Sequence, residues 1–256
     1  MTRSGVPFMP SRSAAAAGPG RAESAPHLGR PSLACSVRDR AAEEERRAPW
    51  GPSALRPRRH HGERKGVFNV RFHGRGGQGV VTAAEMLSAA AFDMGLHGQA
   101  FPTFGSERTG APVVSFCRIH DRPIGFHEPI SVPDALVVQD PTLLHVLAVL
   151  EGASPVTYLL VNTSRSFADV GLEGYVDWLA PGRAATLPAT EMAREFLGRP
   201  MPNTALLGAF AALTGVVTLE AVTTAIRHRF GGVLPPDIVE ANVEVATRAH
   251  GVICHV

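Results

Sequence analysis

The sequence contains only three cysteines, Cys35, Cys117 and Cys254, and they lie far apart along the chain. No two of them form a C-x-x-C pair, which argues against an iron–sulfur or structural zinc site made by this chain alone and favours a reducing cytoplasm. The sequence also lacks the H-E-x-x-H and G-x-S-x-G motifs and shows no paired carboxylates for general acid–base work. We therefore predict neither a catalytic residue nor a metal ligand in this chain.

Long apolar runs are absent as well. No stretch of the sequence approaches the roughly 20 apolar residues that a membrane-spanning helix requires. Together with the cysteine usage, this absence predicts a cytoplasmic protein that does not enter a membrane.

Acidic residues are scarce in the first 66 positions, which hold 13 basic and only 6 acidic side chains, whereas residues 67–256 hold 12 basic and 17 acidic ones. The first segment is rich in Arg, Pro, Ala, Ser and Gly and has no hydrophobic period. Such a segment cannot bury enough apolar surface to offset the entropy lost on ordering. We predict a disordered extension over residues 1–66 and a folded domain over residues 67–256.

The basic extension has several possible origins. The acidic run of Glu43, Glu44 and Glu45 argues against a transit peptide. The basic run at residues 56–61 would suit a nucleic-acid-binding arm, but such runs are more often simply solvated, and we expect no nucleic-acid partner. Val67 directly precedes the first predicted strand, and a GUG valine codon can start bacterial translation. We therefore favour a native product that begins near Val67, and the intact mass of the native protein tests this hypothesis.

Strand and helix patterns alternate over residues 67–256. Residues 134–139 form a nearly continuous apolar run, which is typical of a strand buried on both faces. Pro123 and Gly125 predict a hairpin after the third strand. Strands are predicted before residue 74 and over residues 98–104, 112–119, 134–139, 157–162 and 185–188, and helices over residues 82–91, 142–150, 205–213, 219–230 and 236–249. This alternation implies a single α/β domain with a mainly parallel sheet flanked by helices.

A glycine-rich loop follows the first predicted strand. Gly74, Gly76 and Gly79 match G-x-G-x-x-G at a transition from strand to helix, where free N–H groups and the helix dipole favour a phosphate. From the spacing alone, a tight turn without a ligand is an equal alternative. A dinucleotide site also needs an acid about 20 residues further on, and residues 98–101 contain none. The candidate phosphate-binding residues are Gly74, Arg75, Gly76, Gly77, Gln78 and Gly79. The charged, planar guanidinium group of Arg75 is suited to bind a phosphate.

A second polar loop lies between the second and third predicted strands. It contains the charged pair Glu107 and Arg108, which in an ordinary surface loop contributes about 0–1 kcal/mol. Loops at the carboxyl ends of strands in an open α/β sheet are also where ligands and partners bind. The candidate interface or ligand loop consists of Gly105, Ser106, Glu107, Arg108, Thr109 and Gly110.

Two segments of the sequence resemble one known family. Residues 68–80, F-N-V-R-F-H-G-R-G-G-Q-G-V, and residues 101–113, F-P-T-F-G-S-E-R-T-G-A-P-V, are similar to the gamma subunit of 2-oxoacid:ferredoxin oxidoreductases. The pyruvate and branched-chain 2-oxoacid members are the nearest. The resemblance extends through residues 134–140 and 203–209 and covers about residues 67–250.

The resemblance implies that this chain is one part of a larger enzyme. Thiamine diphosphate and Mg²⁺ would lie between alpha and beta subunits, and iron–sulfur clusters in the beta subunit and a ferredoxin-like delta subunit, with ferredoxin as electron acceptor. The gamma domain would help to bind the co-substrate coenzyme A, with its phosphates near Gly74 to Gly79 and the Gly105 to Gly110 loop near the subunit junction. Two alternatives remain: a stand-alone NAD(P)-binding oxidoreductase domain, and a purely structural subunit without a ligand.

Overall fold

A six-stranded sheet is the centre of the computed structural model, which describes residues 66–103, 110–146 and 148–254. The strands are β1 (Phe68–Arg75), β2 (His97–Pro102), β3 (Pro112–His120), β4 (Ala135–Val138), β5 (Tyr158–Asn162) and β6 (Ala184–Leu187). Their order across the sheet is β2-β3-β1-β4-β5-β6. β1, β4, β5 and β6 pair in parallel, and β3 pairs antiparallel with both β1 and β2. Among the described strands, β3 alone therefore runs against the others.

Helical segments cover both faces of the sheet. They are α1 (Val80–Asp93), a 3-10 helix (Pro141–His145), α2 (Glu173–Trp178), α3 (Ala189–Leu197), α4 (Asn203–Thr214), α5 (Leu219–Phe230) and α6 (Pro236–Cys254). One core packs α1, α4, α5 and α6 against the sheet residues Val70 and Phe72. The other packs α2 and the segment after β4 against Leu136 and Val138. The prediction of a single α/β domain with a mainly parallel sheet flanked by helices is confirmed.

The central strands follow their sequence patterns. Ala135, Leu136, Val137 and Val138 of β4 are all buried, which confirms the strand predicted from its apolar run. In β1, Val70 and Phe72 belong to the core beneath α1. Since successive side chains point to opposite faces, Arg71 and His73 lie on the other side of the sheet.

The segment between β4 and β5 differs from the prediction. The helix expected over residues 142–150 is wrong, because the described chain has only the 3-10 helix there. After His145 the chain turns toward the sheet, where the carbonyl oxygens of Val149 and Glu151 accept hydrogen bonds of 2.6 and 2.7 Å from Nη2 of Arg71. A buried guanidinium thus replaces helical hydrogen bonding as the interaction that orders this segment.

The hairpin predicted at Pro123 and Gly125 is also wrong. These residues lie in an irregular segment, and the next strand, β4, pairs in parallel with β1. Arg118 on β3 holds this segment through the carbonyl oxygens of Phe126 and Glu128. The antiparallel hairpin is formed instead by β2 and β3, which precede it.

The short helices α2 and α3 were not predicted. α2 has only six residues and buries only Tyr175, which leaves little pattern in the sequence. In α3, Ala189, Met192, Ala193 and Phe196 follow the i, i+3, i+4, i+7 spacing of an apolar helix face and pack into the core, so the sequence does contain a signal for this helix. Residues 1–65 lie outside the described part of the chain, and the boundary between residues 66 and 67 stays a prediction.

Candidate functional site

The glycine-rich loop lies at the carboxyl edge of the sheet, where the chain changes direction across it. From β1 the chain proceeds to β2 and β3 on one side, and then returns to β4 on the other side of β1. In open α/β sheets, ligands bind at such a switch point, outside the carboxyl ends of the strands. The loop between β1 and α1 is therefore in the position that this rule favours.

Three glycines of the loop have a steric reason to be glycine. A Cβ atom on Gly74 would lie 2.6 Å from Cγ2 of Val80, and one on Gly79 would lie 2.5 Å from Nδ2 of Asn203. Gly77 and Gly79 have φ values of 95° and 71°, in the left-handed region that disfavours other residues. The loop is thus a tight and closely packed turn into α1.

The backbone N–H groups of the loop divide into two sets. The N–H of Gly76 donates to the carbonyl oxygen of Ala111 at 2.9 Å, and the N–H of Gln78 donates to that of Arg75 at 3.1 Å. The N–H groups of Gly77 and Gly79 have no acceptor among the described residues. Of these four N–H groups, those of Gly77 and Gly79 therefore remain available to a ligand.

Arg75 is engaged within the protein. Its Nε donates to Oδ2 of Asp140 at 3.0 Å, and its Nη2 donates to Oγ1 of Thr142 at 2.7 Å. Gln78 joins the same group: its Oε1 accepts from the N–H of Arg75 at 2.8 Å, and its Nε2 donates to Oδ2 of Asp140 at 3.1 Å. Burial alone would raise the pKa of Asp140, but hydrogen bonds from Thr142 and Gln78 and the charge of Arg75 together hold it below its ordinary value. A phosphate would compete with Asp140 for the guanidinium.

The two candidate loops meet. The N–H of Gly110 donates to the carbonyl oxygen of Gly76 at 3.1 Å, and Nη1 of Arg75 donates to the carbonyl oxygen of Gly110 at 3.1 Å. Together with the bond from Gly76 to Ala111, these contacts fasten the end of the second loop to the glycine loop. Residues 105–109 of the second loop lie outside the described residues, and the ligand and interface roles of both loops stay predictions.

Three polar residues that the sequence does not single out, Gln139, Asn162 and Asn203, complete the site. Gln139 follows β4 directly, and its Cβ atom lies 3.1 Å from where a Cβ atom on Gly74 would be. Asn162, at the end of β5, donates 2.7 Å hydrogen bonds to the carbonyl oxygen of Gln139 and to Oγ1 of Thr190. Asn203, the first residue of α4, contacts Gly79. An Asn at the start of a predicted helix was the available signal, but it indicates only a helix start and not its contact with a distant loop.

His73 is a structural residue. It is 5 % exposed, and its Nε2 accepts a 3.1 Å hydrogen bond from Nε of Arg71. Burial, and then the charge of Arg71, lowers the pKa of His73 to about 3. The imidazole is therefore neutral at physiological pH.

The described residues contain no group of three or more His, Cys, Asp or Glu side chains that could hold a metal ion. Cys117 is buried, and burial raises the pKa of its thiol. Within the same part of the chain, no helix combines the length and the apolar character that a membrane span would need.

Comparison with known proteins matches the fold and the two loops to one family. Residues 69–252 match the family described as pyruvate ferredoxin/flavodoxin oxidoreductase. The chain is 47% identical over 183 residues to the pyruvate/ketoisovalerate oxidoreductases common subunit gamma of Thermococcus kodakarensis, covering 72% of this chain and 95% of that protein. It is 45% identical over 168 residues to pyruvate synthase subunit PorC of Methanocaldococcus jannaschii, covering 66% of this chain and 89% of that one.

A solved structure agrees. The pyruvate oxidoreductase subunit PORC of Thermotoga maritima matches with a TM-score of 0.61 at 37% identity, and the match covers 73% of this chain and 97% of that one. The resemblance drawn from residues 68–80 and 101–113 is confirmed. The chain belongs to the pyruvate ferredoxin/flavodoxin oxidoreductase family, as a gamma-type subunit of an oxidoreductase complex.

Proposed function

We propose that this gamma subunit helps to bind coenzyme A in an enzyme that oxidatively decarboxylates a 2-oxoacid, with pyruvate as the substrate. The products are an acyl-CoA, carbon dioxide and reduced ferredoxin. In this proposal the enzyme works in the cytoplasm, and the reaction depends on alpha, beta and delta subunits. Thiamine diphosphate and Mg²⁺ belong to the alpha and beta subunits, and the iron–sulfur clusters to the beta and delta subunits.

One observation carries the coenzyme A assignment. The N–H groups of Gly77 and Gly79 have no acceptor in the described part of the chain, and they lie at the start of α1, at the carboxyl edge of the sheet. No side chain caps α1, and its first turn has no acidic residue. Free N–H groups at the positive end of a helix dipole favour a phosphate oxygen, which the diphosphate of coenzyme A supplies.

The sheet topology argues against the NAD(P) alternative. In a dinucleotide-binding fold, the acid that binds the ribose follows the parallel strand next to β1. Here the neighbour of β1 on that side is the antiparallel strand β3, and β2 lies one strand further away. Residues 98–101 contain no acid for a ribose, and the strand order separately places β2 away from the glycine-rich loop.

A charge at Gly77 in the assembled enzyme tests the proposal. Gly77→Asp is expected to raise the KM for coenzyme A by about tenfold, because the new carboxylate would repel a phosphate bound at the glycine-rich loop. The KM for pyruvate should stay within about twofold of the wild-type value, since the 2-oxoacid is bound by other subunits.

Two variants control for backbone strain. Gly77→Asn imposes a similar strain without the charge, and Gly182→Asp places the charge at another glycine of positive φ, in the turn before β6. Both should change the KM for coenzyme A much less than Gly77→Asp does. Equal effects of Gly77→Asp on the two KM values, or no effect on either, would support a purely structural subunit instead.

A further inference from the structure

The first residues of α1 and α4 lie next to each other beside the glycine-rich loop, and we call this place the junction of the two helices. α1 starts directly after Gly79, and α4 starts at Asn203. The side chain of Asn203 reaches Gly79, because its Nδ2 atom lies 2.5 Å from where a Cβ atom on Gly79 would be. The helices have 14 and 12 residues, so the dipoles of two full helices have their positive ends at this junction.

Neither helix start is capped by a side chain. α1 and α4 have no side-chain cap and no acidic residue in the first turn, whereas Thr218 caps α5 and Glu220 lies in its first turn. In α4, the first N–H group with a backbone acceptor among the described residues is that of Leu206, which donates to Pro202. Residues 203–205 are nevertheless buried. A buried helix start without acceptors is unfavourable unless another group supplies them.

Two buried amide side chains beside the glycine-rich loop lack partners as well. Asn203 and Gln139 are each 1 % exposed. Nδ2 of Asn203 and both polar atoms of Gln139 have no hydrogen-bond partner among the described residues. A buried polar group without a partner costs about 1–3 kcal/mol. Asn203 lies against Gly79 and Gln139 lies against Gly74, so two such residues beside one loop point to a bound group that the described residues do not provide.

The chemistry of the junction selects an anion. The free backbone groups are all donors, the dipoles of both helices favour negative charge, and the first turns of α1 and α4 have no acid to supply it. We propose that Asn203 and the paired starts of α1 and α4 form the binding site for one phosphate group. The ligand's identity rests on the proposed function, in which this phosphate belongs to the diphosphate of coenzyme A.

Asn203→Asp separates a binding role from a structural one. The substitution keeps the shape of the side chain and adds a negative charge, so it should raise the Kd of the full chain for inorganic pyrophosphate and for coenzyme A by at least about tenfold. The same carboxylate complements the uncapped start of α4, so the unliganded variant should melt at or above the wild-type temperature. Isothermal titration calorimetry and thermal unfolding measure the two effects.

Two further variants complete the experiment. Asn203→Leu removes the amide at similar size and should also weaken pyrophosphate binding. Glu220→Gln changes the charge at the start of α5, which has its own cap, and should leave pyrophosphate binding unchanged.

Several outcomes would overturn the inference. They are wild-type affinity in both Asn203 variants, a wild-type chain that binds no pyrophosphate, and a lower melting temperature of Asn203→Asp together with lost binding. None of them refutes the proposed function, which the KM of the assembled enzyme for coenzyme A tests separately with the Gly77 variants.

Discussion

Individual side chains fix the glycine-rich loop without help from a ligand. Gln78 bonds to the backbone of Arg75 and to Asp140, and Arg75 bonds to Asp140, Thr142 and Gly110. The sequence alone predicts Arg75 as a phosphate ligand, because Asp140 is 65 residues away and only the pairing of β1 with β4 brings the two together. The loop is consequently held in its conformation before any ligand binds.

His73 should make the stability of the fold depend on pH. Its pKa is lowered from 6.5 to about 3 in the folded protein, so below pH 6.5 the unfolded chain binds a proton that the folded chain does not. The free energy of unfolding should therefore fall by about 1.4 kcal/mol per pH unit as the pH decreases from 6.5 toward 3. Urea unfolding of the wild type and of His73→Gln at pH 7, 5 and 4 measures this contribution.

The comparison between variants isolates the histidine. Gln can still accept the hydrogen bond from Arg71, so the wild type should lose more stability than His73→Gln as the pH decreases. His228→Gln, at an exposed histidine on α5, should follow the wild type. Parallel curves for the wild type and His73→Gln would show that His73 is protonated in the folded protein.

At the scale of helices and strands, strong local patterns in the sequence predict β4 and α1, whereas distant contacts decide the structure of the segment after Pro141. β4 was predicted from four consecutive apolar residues, and α1 from a run of helix formers. The helix expected after Pro141 is cut short because Arg71, on β1, binds the carbonyl oxygens of Val149 and Glu151. No local pattern contains that contact.

Because α4 packs closely against α6, a Gly-to-Ala substitution in the middle of α4 should lower the free energy of unfolding instead of raising it. Gly208 lies in the middle of α4, where Ala normally stabilises a helix by about 1 kcal/mol relative to Gly. A Cβ atom on Gly208 would lie only 1.9 Å from the carbonyl oxygen of Ala246 on α6. Gly208→Ala should therefore lower the free energy of unfolding by about 1–3 kcal/mol or more, because the helices must separate.

Gly251 on α6 is the matched control, since a Cβ atom there would meet nothing within 4 Å. Gly251→Ala should leave the free energy of unfolding unchanged or raise it by up to about 1 kcal/mol. Urea unfolding of both variants decides the matter, and a stable Gly208→Ala variant would mean that the two helices are further apart than described.

At the scale of the whole molecule, the sheet order brings together loops that are far apart in sequence. β3 runs against β1, so the start of β3 lies beside the end of β1, and Gly110 and Ala111 pair with Gly76. The sequence indicates both loops but not their contact, and it does not indicate that Gln139 and Asn203 lie beside the glycine-rich loop. Those residues become visible only when the strand order and the position of α4 are known.

The proposed distribution of the cofactors among the subunits predicts the behaviour of the purified protein. When it is produced together with alpha, beta and delta subunits, the chain should co-purify with them as a brown complex that oxidises pyruvate in the presence of coenzyme A. The chain alone should be colourless and inactive, because in the proposed function the thiamine diphosphate and the iron–sulfur clusters lie on the other subunits. A colourless monomer with full activity would contradict the assignment, and size-exclusion chromatography with visible absorption spectra distinguishes the two.

The central position of β1 also has a consequence for the order of events during synthesis. β1 leaves the ribosome first among the described strands, but its neighbours are residues 112–120 and 135–138. Until those segments emerge, β1 has no neighbouring strand to pair with, whereas β2 and β3 are joined by a short connection and pair as soon as β3 is complete. We therefore expect the β2–β3 hairpin to form first on the nascent chain and the glycine-rich loop to reach its final shape only after β4 has left the exit tunnel.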